Sequence, residues 1–164
     1  MTAEGDNRVL MQKVSKELLT RVDKSKVMQH AIMKMQPLFV RRLAHRLCWK
    51  DFTDASVQLE MFRFREQWCL NDLAAGLHAH RKQGKSIFEA WMLHESDLVQ
   101  ALATAYGERV ALEQIIRTTK GADHSIAHTL DQLRNLFALD RIRADQAFFL
   151  REGLLFPHTS VKVG

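Results

Sequence analysis

The chain has 164 residues, 46% hydrophobic and 26% charged, a balance that fits one globular domain with at most an appendage and excludes a disordered chain. Two prolines and seven glycines exclude a collagenous chain and argue against a turn-rich all-β fold, while two cysteines are too few for a disulfide scaffold or a cysteine-rich metal site. The net charge of +5 raises nucleic acid as a partner, but Arg41, Arg42 and Arg46, Arg63 and Arg65, and Arg81 and Lys82 are scattered among apolar and acidic residues, not gathered into one stripe. They read as solvated helix faces, with Arg81 and Lys82 suiting a helix C-terminus. No run of about 18 apolar residues exists to span a membrane, and the start of the chain, with Glu4 and Asp6, has no signal-peptide pattern.

The apolar period is helical nearly throughout. Val9, Leu10, Val14, Leu18 and Val22 predict a helix over 8–22, which Asp6 or Asn7 could cap. The stretch 23–54 reads as a connection: Pro37 disfavours helix at Gln36, and only a short helix over 38–49 is expected. From Ser56 the stripe Val57, Met61, Phe64, Trp68 and Leu70–Leu73 predicts a long helix ending near Gly84. Ser86 and Glu89 have capping-box spacing. They open the most regular stripe of the chain: Phe88, Trp91, Met92, Leu98, Val99, Leu102, Tyr106, Val110 and Ile116, ended by Gly121. Asp123 opens a last stripe, Ile126, Leu130, Leu133 and Phe137, with Ile142 and Phe148–Phe149 beyond, closed by Gly153 and Pro157. Three long helices with short glycine-containing joints predict an all-α antiparallel bundle, whose fourth helix is either supplied poorly by 27–50 or missing.

Candidate chemistry is sparse. His124 and His128 share a helical face but lack the third ligand and the H-E-x-x-H pattern of a zinc site, so they read as surface histidines. His78 and His80, two residues apart, cannot face one another on a helix. Cys48 and Cys69 stand among apolar residues and read as buried structural thiols, with no base or electropositive setting for a nucleophile. No metal is expected. No phosphate-cradling glycine loop and no G-x-S-x-G motif occurs, and the Trp and Phe stripes read as core. What remains is Glu4-Gly5-Asp6-Asn7, a carboxylate and a glycine just ahead of a helix N-terminus. It reads either as a frayed polar end with a capping Asp or as an anion-binding helix start with a carboxylate beside it.

Thr2-Ala3-Glu4-Gly5-Asp6-Asn7-Arg8-Val9-Leu10-Met11-Gln12, continuing Val14-Ser15-Lys16-Glu17-Leu18-Leu19, resembles the T-x-E-G-D-N-x-V-L-x-Q segment of acyl-CoA oxidases, most of all their plant medium-chain and bacterial branches. Phe62-Arg63-Phe64-Arg65-Glu66 resembles the arginine-bearing start of a helix in that family's last domain. Glu108-Arg109-Val110-Ala111-Leu112-Glu113-Gln114 and Leu136-Phe137-Ala138-Leu139-Asp140-Arg141-Ile142 are similar to further family patterns. The resemblance covers most of the chain and is weakest over 23–55. Where the family usually has an aromatic residue before the glutamate, this chain has Ala3.

The resemblance implies an FAD-dependent oxidation of an acyl-CoA to the trans-2-enoyl-CoA, with oxygen reoxidising the flavin to give hydrogen peroxide. It assigns Glu4 as the base that takes the thioester α-proton, a weak acid that demands a close, partly desolvated carboxylate. It places Gly5, Asp6 and Asn7 on the flavin side. It divides the chain into a flavin-site remnant (1–22), a connection (23–54) and an incomplete C-terminal helical bundle (55–164). The chain is therefore expected to be a C-terminal fragment, a truncated product or one piece of a split enzyme, inactive and without retained FAD when alone. Its expected partners are acyl-CoA, oxygen, the upstream oxidase domains and, as in the family, a second subunit, with no nucleic acid and no membrane span. A peroxisomal location is expected for a eukaryotic source and a cytoplasmic one for a bacterial source. The ending Val161-Lys162-Val163-Gly164 is no peroxisomal S-K-L signal. The rival readings are a non-catalytic helical interaction module and a fragment of an acyl-CoA dehydrogenase.

Overall fold

A computed structural model of the chain describes residues 7–21 and 52–155, and every regular element among them is helical. Helix α1 spans Asn7–Thr20, α2 Ala55–Lys82 and α3 the single turn Ile87–Glu89, which runs into a π-helical turn at Ala90–His94. Then follow α4 (Ser96–Gly121), α5 (His124–Ala144) and α6 (Gln146–Arg151). The chain is all-α, as its apolar period predicts. The proposed helix over 38–49, Pro37 and Pro157 lie outside the described residues.

Local chemistry sets the helix ends. Asp54 caps α2: its Oδ1 accepts from the Ser56 N–H at 2.7 Å and the Val57 N–H at 3.3 Å. At the other end Gly84, at φ +81°, carries the chain out of α2. The Lys85 N–H donates to the His80 carbonyl and the Gly84 N–H to the Arg81 carbonyl, the paired bonds of a Schellman ending. Gly153, at φ +71°, ends α6 in the same way, with Leu154 N–H donating to Phe149 and Gly153 N–H to Leu150.

The described residues fall into two compact units, one of 7–21 with Phe64–Glu108, the other of 52–63 with 109–155. In the first, Leu18 of α1, Cys69 and Leu73 of α2, and Val99 and Leu102 of α4 form the core, with Val14, Trp68, Leu77, Trp91 and Tyr106 packed on it. The Arg65–Glu108 ion pair and the close His80–Glu95 contact show α2 and the start of α4 running antiparallel there. In the second, the buried apolar residues are Val57, Met61, Phe62, Leu112, Ala138, Ile142, Phe149, Leu154 and Leu155. Burying each large side chain contributes roughly 1.5–3 kcal/mol before the cost of ordering it.

Four sequence expectations are corrected. Asn7 is the first residue of α1, not its cap, and Val9 and Leu10 are exposed, so only the second half of the helix buries its stripe. The stripe from Phe88 to Ile116 is not one helix. The Glu95 N–H reaches back five residues to the Ala90 carbonyl, and the chain restarts at Ser96. That extra residue turns Ile87, Phe88, Met92 and Leu93 outward, so they are exposed and not core. The last stripe breaks at Asp145, and the inward line of α5 is Arg134, Ala138 and Ile142, leaving Ile126 and Leu133 exposed. Finally, Arg65 is no solvated-face residue: it is 4% exposed and paired with Glu108. Arg63 and Arg65, two residues apart on a helix, point to different sides.

Candidate functional site

Glu4, Gly5 and Asp6 lie outside the described residues; Asn7 is exposed at the start of α1. Two features of α1 fix the helix that follows the glutamate. Ser15 is fully buried and its Oγ donates to the Val99 carbonyl at 2.6 Å, a carbonyl in the first turn of α4. One turn on, Leu18 enters the core against Cys69 and Leu73. The first turn, Asn7–Leu10, projects to solvent and contains no acidic residue. A helix start of this kind presents N–H groups chemically suited to an anion.

The stretches at 62–66, 108–114 and 136–142 that carry part of the family resemblance meet in space. In the first unit Arg65 and Glu108, 43 residues apart, form an ion pair at side-chain exposures of 5% and 16%. In the second, Glu113 accepts from Arg63 at 2.7 Å and from Arg109 at 2.7 Å, one arginine to each oxygen. The Arg63 hydrogen bond, aided by the Arg109 and Arg63 charges, holds the Glu113 carboxyl below its ordinary value. The rings of Phe62 and Phe137 lie tilted with centroids 6.3 Å apart. These residues assemble the scaffold and show no catalytic constellation.

The histidine expectations divide. His124 and His128 are exposed at the start of α5. Among the described residues no group of three His, Cys, Asp or Glu side chains is gathered in a way that could hold a metal ion. Cys69 is buried in the first core, and Cys48 lies outside the described residues. His78 and His80 do not face each other, yet His80 is far from isolated. Its ring stacks on His94 of the π-helical turn at 4.6 Å and 21°. Its Nε2 lies 3.1 Å from Glu95 Oε1, while Lys85 Nζ lies 3.4 Å from His80 Nδ1 and 3.1 Å from His94 Nε2. No sequence spacing announces this cluster, because the π-helical turn that supplies His94 is absent from an α-helical reading.

Comparison with known proteins decides the family. Residues 54–163 match the family described as "Acyl-CoA oxidase". The chain belongs to the acyl-CoA oxidase family. Acyl-coenzyme A oxidase 2, peroxisomal, of Arabidopsis thaliana is 31% identical over 157 residues, covering 88% of this chain. The chain spans only 22% of that relative's length. Two solved structures from Yarrowia lipolytica share the fold. Acyl-CoA oxidase 3 superposes with a TM-score of 0.77 at 24% identity, over 98% of this chain and 23% of its own. Acyl-CoA oxidase 1 gives 0.72 at 18% identity, over 99% and 24%. No helix among the described residues is long and apolar enough to cross a membrane.

Proposed function

We propose that this chain forms part of an FAD-dependent acyl-CoA oxidase that converts an acyl-CoA to the trans-2-enoyl-CoA with formation of hydrogen peroxide. The observation that carries the reading is the family match over 54–163. It is supported by the Thr2–Asn7 segment directly ahead of an anchored helix. On this reading Glu4 is the base that removes the thioester α-proton, and Gly5, Asp6 and Asn7 line the flavin side. FAD, when bound, supplies the acceptor for the β-hydride. The start of α1 would hold the flavin phosphates through the N–H groups of its first turn, and Ser15 and Leu18 keep that helix in place.

The proposed division is a flavin-site remnant over 1–22, a connection over 23–54 and the C-terminal helical bundle over 55–164. The other oxidase domains and a second subunit are its proposed partners. A peroxisomal setting, named for the Arabidopsis relative, is proposed for a eukaryotic source and a cytoplasmic one for a bacterial source.

The experiment pairs this chain with the remaining domains of an acyl-CoA oxidase and follows peroxide from a saturated acyl-CoA. The chain alone is expected to bind no FAD and produce no peroxide, and the reconstituted protein to do both. Glu4→Gln should lower turnover by about 10²–10⁴-fold, the usual contribution of a positioned base. Retained turnover in that variant would remove Glu4 as the base.

A further inference from the structure

We propose that the end of the first unit where α2 passes into α4 is the surface on which the flavin-bearing part of the oxidase docks, through the exposed apolar side chains of Val9, Leu10, Ile87, Phe88 and Leu93. This rests on the oxidase reading and adds to it the place where the rest of the enzyme sits. Two separate segments bring these residues to one end. The joint 83–95 lies there by connection, between the last turn of α2 and the first of α4. The other segment is α1. Its Leu18 packs with Cys69 and Leu73 in the body of the α2–α4 pair, and Ser15, about one turn earlier, has reached the Val99 carbonyl in the first turn of α4. Traced backwards, α1 runs toward the joint. The stretch from Ser15 back to Asn7 covers about 12 Å of helix, so its first turn continues past that end. Asn7–Leu10 are all exposed, as suits a turn with no face against the unit.

The joint presents its apolar residues from a pinned backbone. Ser86 caps the turn of α3, its Oγ accepting from the Glu89 N–H at 3.1 Å. Ala90 is fully buried, and the Glu95 N–H closes the π-helical turn onto the Ala90 carbonyl. The Glu95 carboxylate lies in the room that Gly76 leaves on α2, with Oε1 3.1 Å from His80 Nε2. A segment held at Ser86, Ala90 and Glu95 has a defined outer face. Ile87, Phe88 and Leu93 lie on it, Phe88 at 75% and Leu93 at 73% exposure. Apolar groups on a fixed segment lose little freedom on binding, so they favour a partner more than the same groups on a loose loop. Single exposed apolar residues are ordinary on a surface, whereas several large ones gathered at one end mark an interaction site.

Length and connection identify the occupant. The chain spans 22% of its Arabidopsis relative and 23% and 24% of the two Yarrowia chains whose fold it shares. More than three quarters of such an enzyme therefore lies outside it. On the oxidase reading the flavin-bearing part runs directly into Glu4 and α1. It enters at the end toward which α1 points, beside the outer face of the joint. A second copy of this chain is the competing occupant, and concentration separates the two.

Hydroxyl-radical footprinting tests the surface, because exposed Phe and Leu side chains take the label according to their access to water. It compares the whole chain alone with a chimera, the Arabidopsis thaliana relative carrying this chain in place of its matching stretch. Labelling of Phe88 and Leu93 should be strong in the chain alone and fall several-fold in the chimera. Labelling as strong in the chimera as in the chain alone would overturn the proposal. So would labelling of the chain alone that falls as its concentration rises, which makes a second copy the occupant. Bound flavin and peroxide release in the same chimera report separately on the oxidase reading. Protection without flavin keeps the docking surface and removes that reading; flavin without protection does the reverse. Phe88→Asp with Leu93→Lys, both at exposed positions, should leave the thermal melt of the chain alone unchanged and lower FAD retention by the chimera several-fold. Unchanged retention would also overturn the proposal. The footprint needs no variant and decides the case should the double variant fail to fold.

Discussion

Arg134 occupies a position on α5 where an apolar residue would be expected, and it is 3% exposed. It is tolerated there because its donors are satisfied. Nε donates to Asp131 at 2.8 Å, one terminal nitrogen donates to Gln58 and the other to the Thr53 carbonyl at 3.0 Å. Gln58 in turn donates to the Phe52 carbonyl and to Asn135. The network ties the chain entering α2 to α5. Arg134→Met keeps the bulk and removes the donors, leaving the side-chain oxygen of buried Gln58 without this partner. It should cost about 3 kcal/mol in urea unfolding; a loss under about 0.5 kcal/mol, the level of an ordinary surface change, would show that the network contributes little. Glu113 gives a pH test. Its folded pKa lies below the ordinary 4.5, so the folded state binds fewer protons in that window. The stability it contributes is complete above the unfolded value and lost as pH falls through the folded one. The difference in unfolding midpoint between the native chain and Glu113→Gln should therefore shrink as pH drops below 4.5. An undiminished difference in acid would contradict the assignment. Neither network was legible beforehand. Arg63 and Glu113 are 50 residues apart, and only packed helices reveal which of many charges meet.

Helix existence was far more legible than helix interruption. The long stripes from Ser56 and Asp123 became α2 and α5, because a 3.6-residue apolar period survives whatever the helix packs on. The sequence marks Gly84 as an end, and its φ of +81° gives the reason. Gly84→Ala places a side chain in open space but in a left-handed backbone, so it should cost about 1–2 kcal/mol. Gly121→Ala also meets open space at the end of α4 but with no positive φ, and should be neutral or slightly stabilising. Equal effects of the two substitutions in thermal unfolding would contradict this account. No sequence signal marks the π-helical turn, because one extra residue shifts phase without changing composition. Phe88 then lands on the surface while Val99 and Leu102, beyond the restart at Ser96, remain core. The candidate site was legible only through the residues that resemble a family motif. Its Asn7 falls on α1, and Glu4, Gly5 and Asp6 lie outside the described residues.

At the scale of the molecule, the family match and the fold match agree while covering less than a quarter of each relative's length. The family was legible from motifs in order, and the structure adds that the stretches at 62–66, 108–114 and 136–142 supply partners for one another, as in Arg65–Glu108 and Phe62–Phe137. The placement of Trp68 and Trp91 against the first core has a spectroscopic consequence. Among the described residues both indole fluorophores, and Tyr106 with them, report on that unit alone, while the second is built around phenylalanine. A fluorescence melt follows the first unit; far-UV circular dichroism follows helices in both. Coincident transitions, recorded with Trp49 replaced by Phe, would show the two units melting as one cooperative body, and separated transitions would give each its own stability.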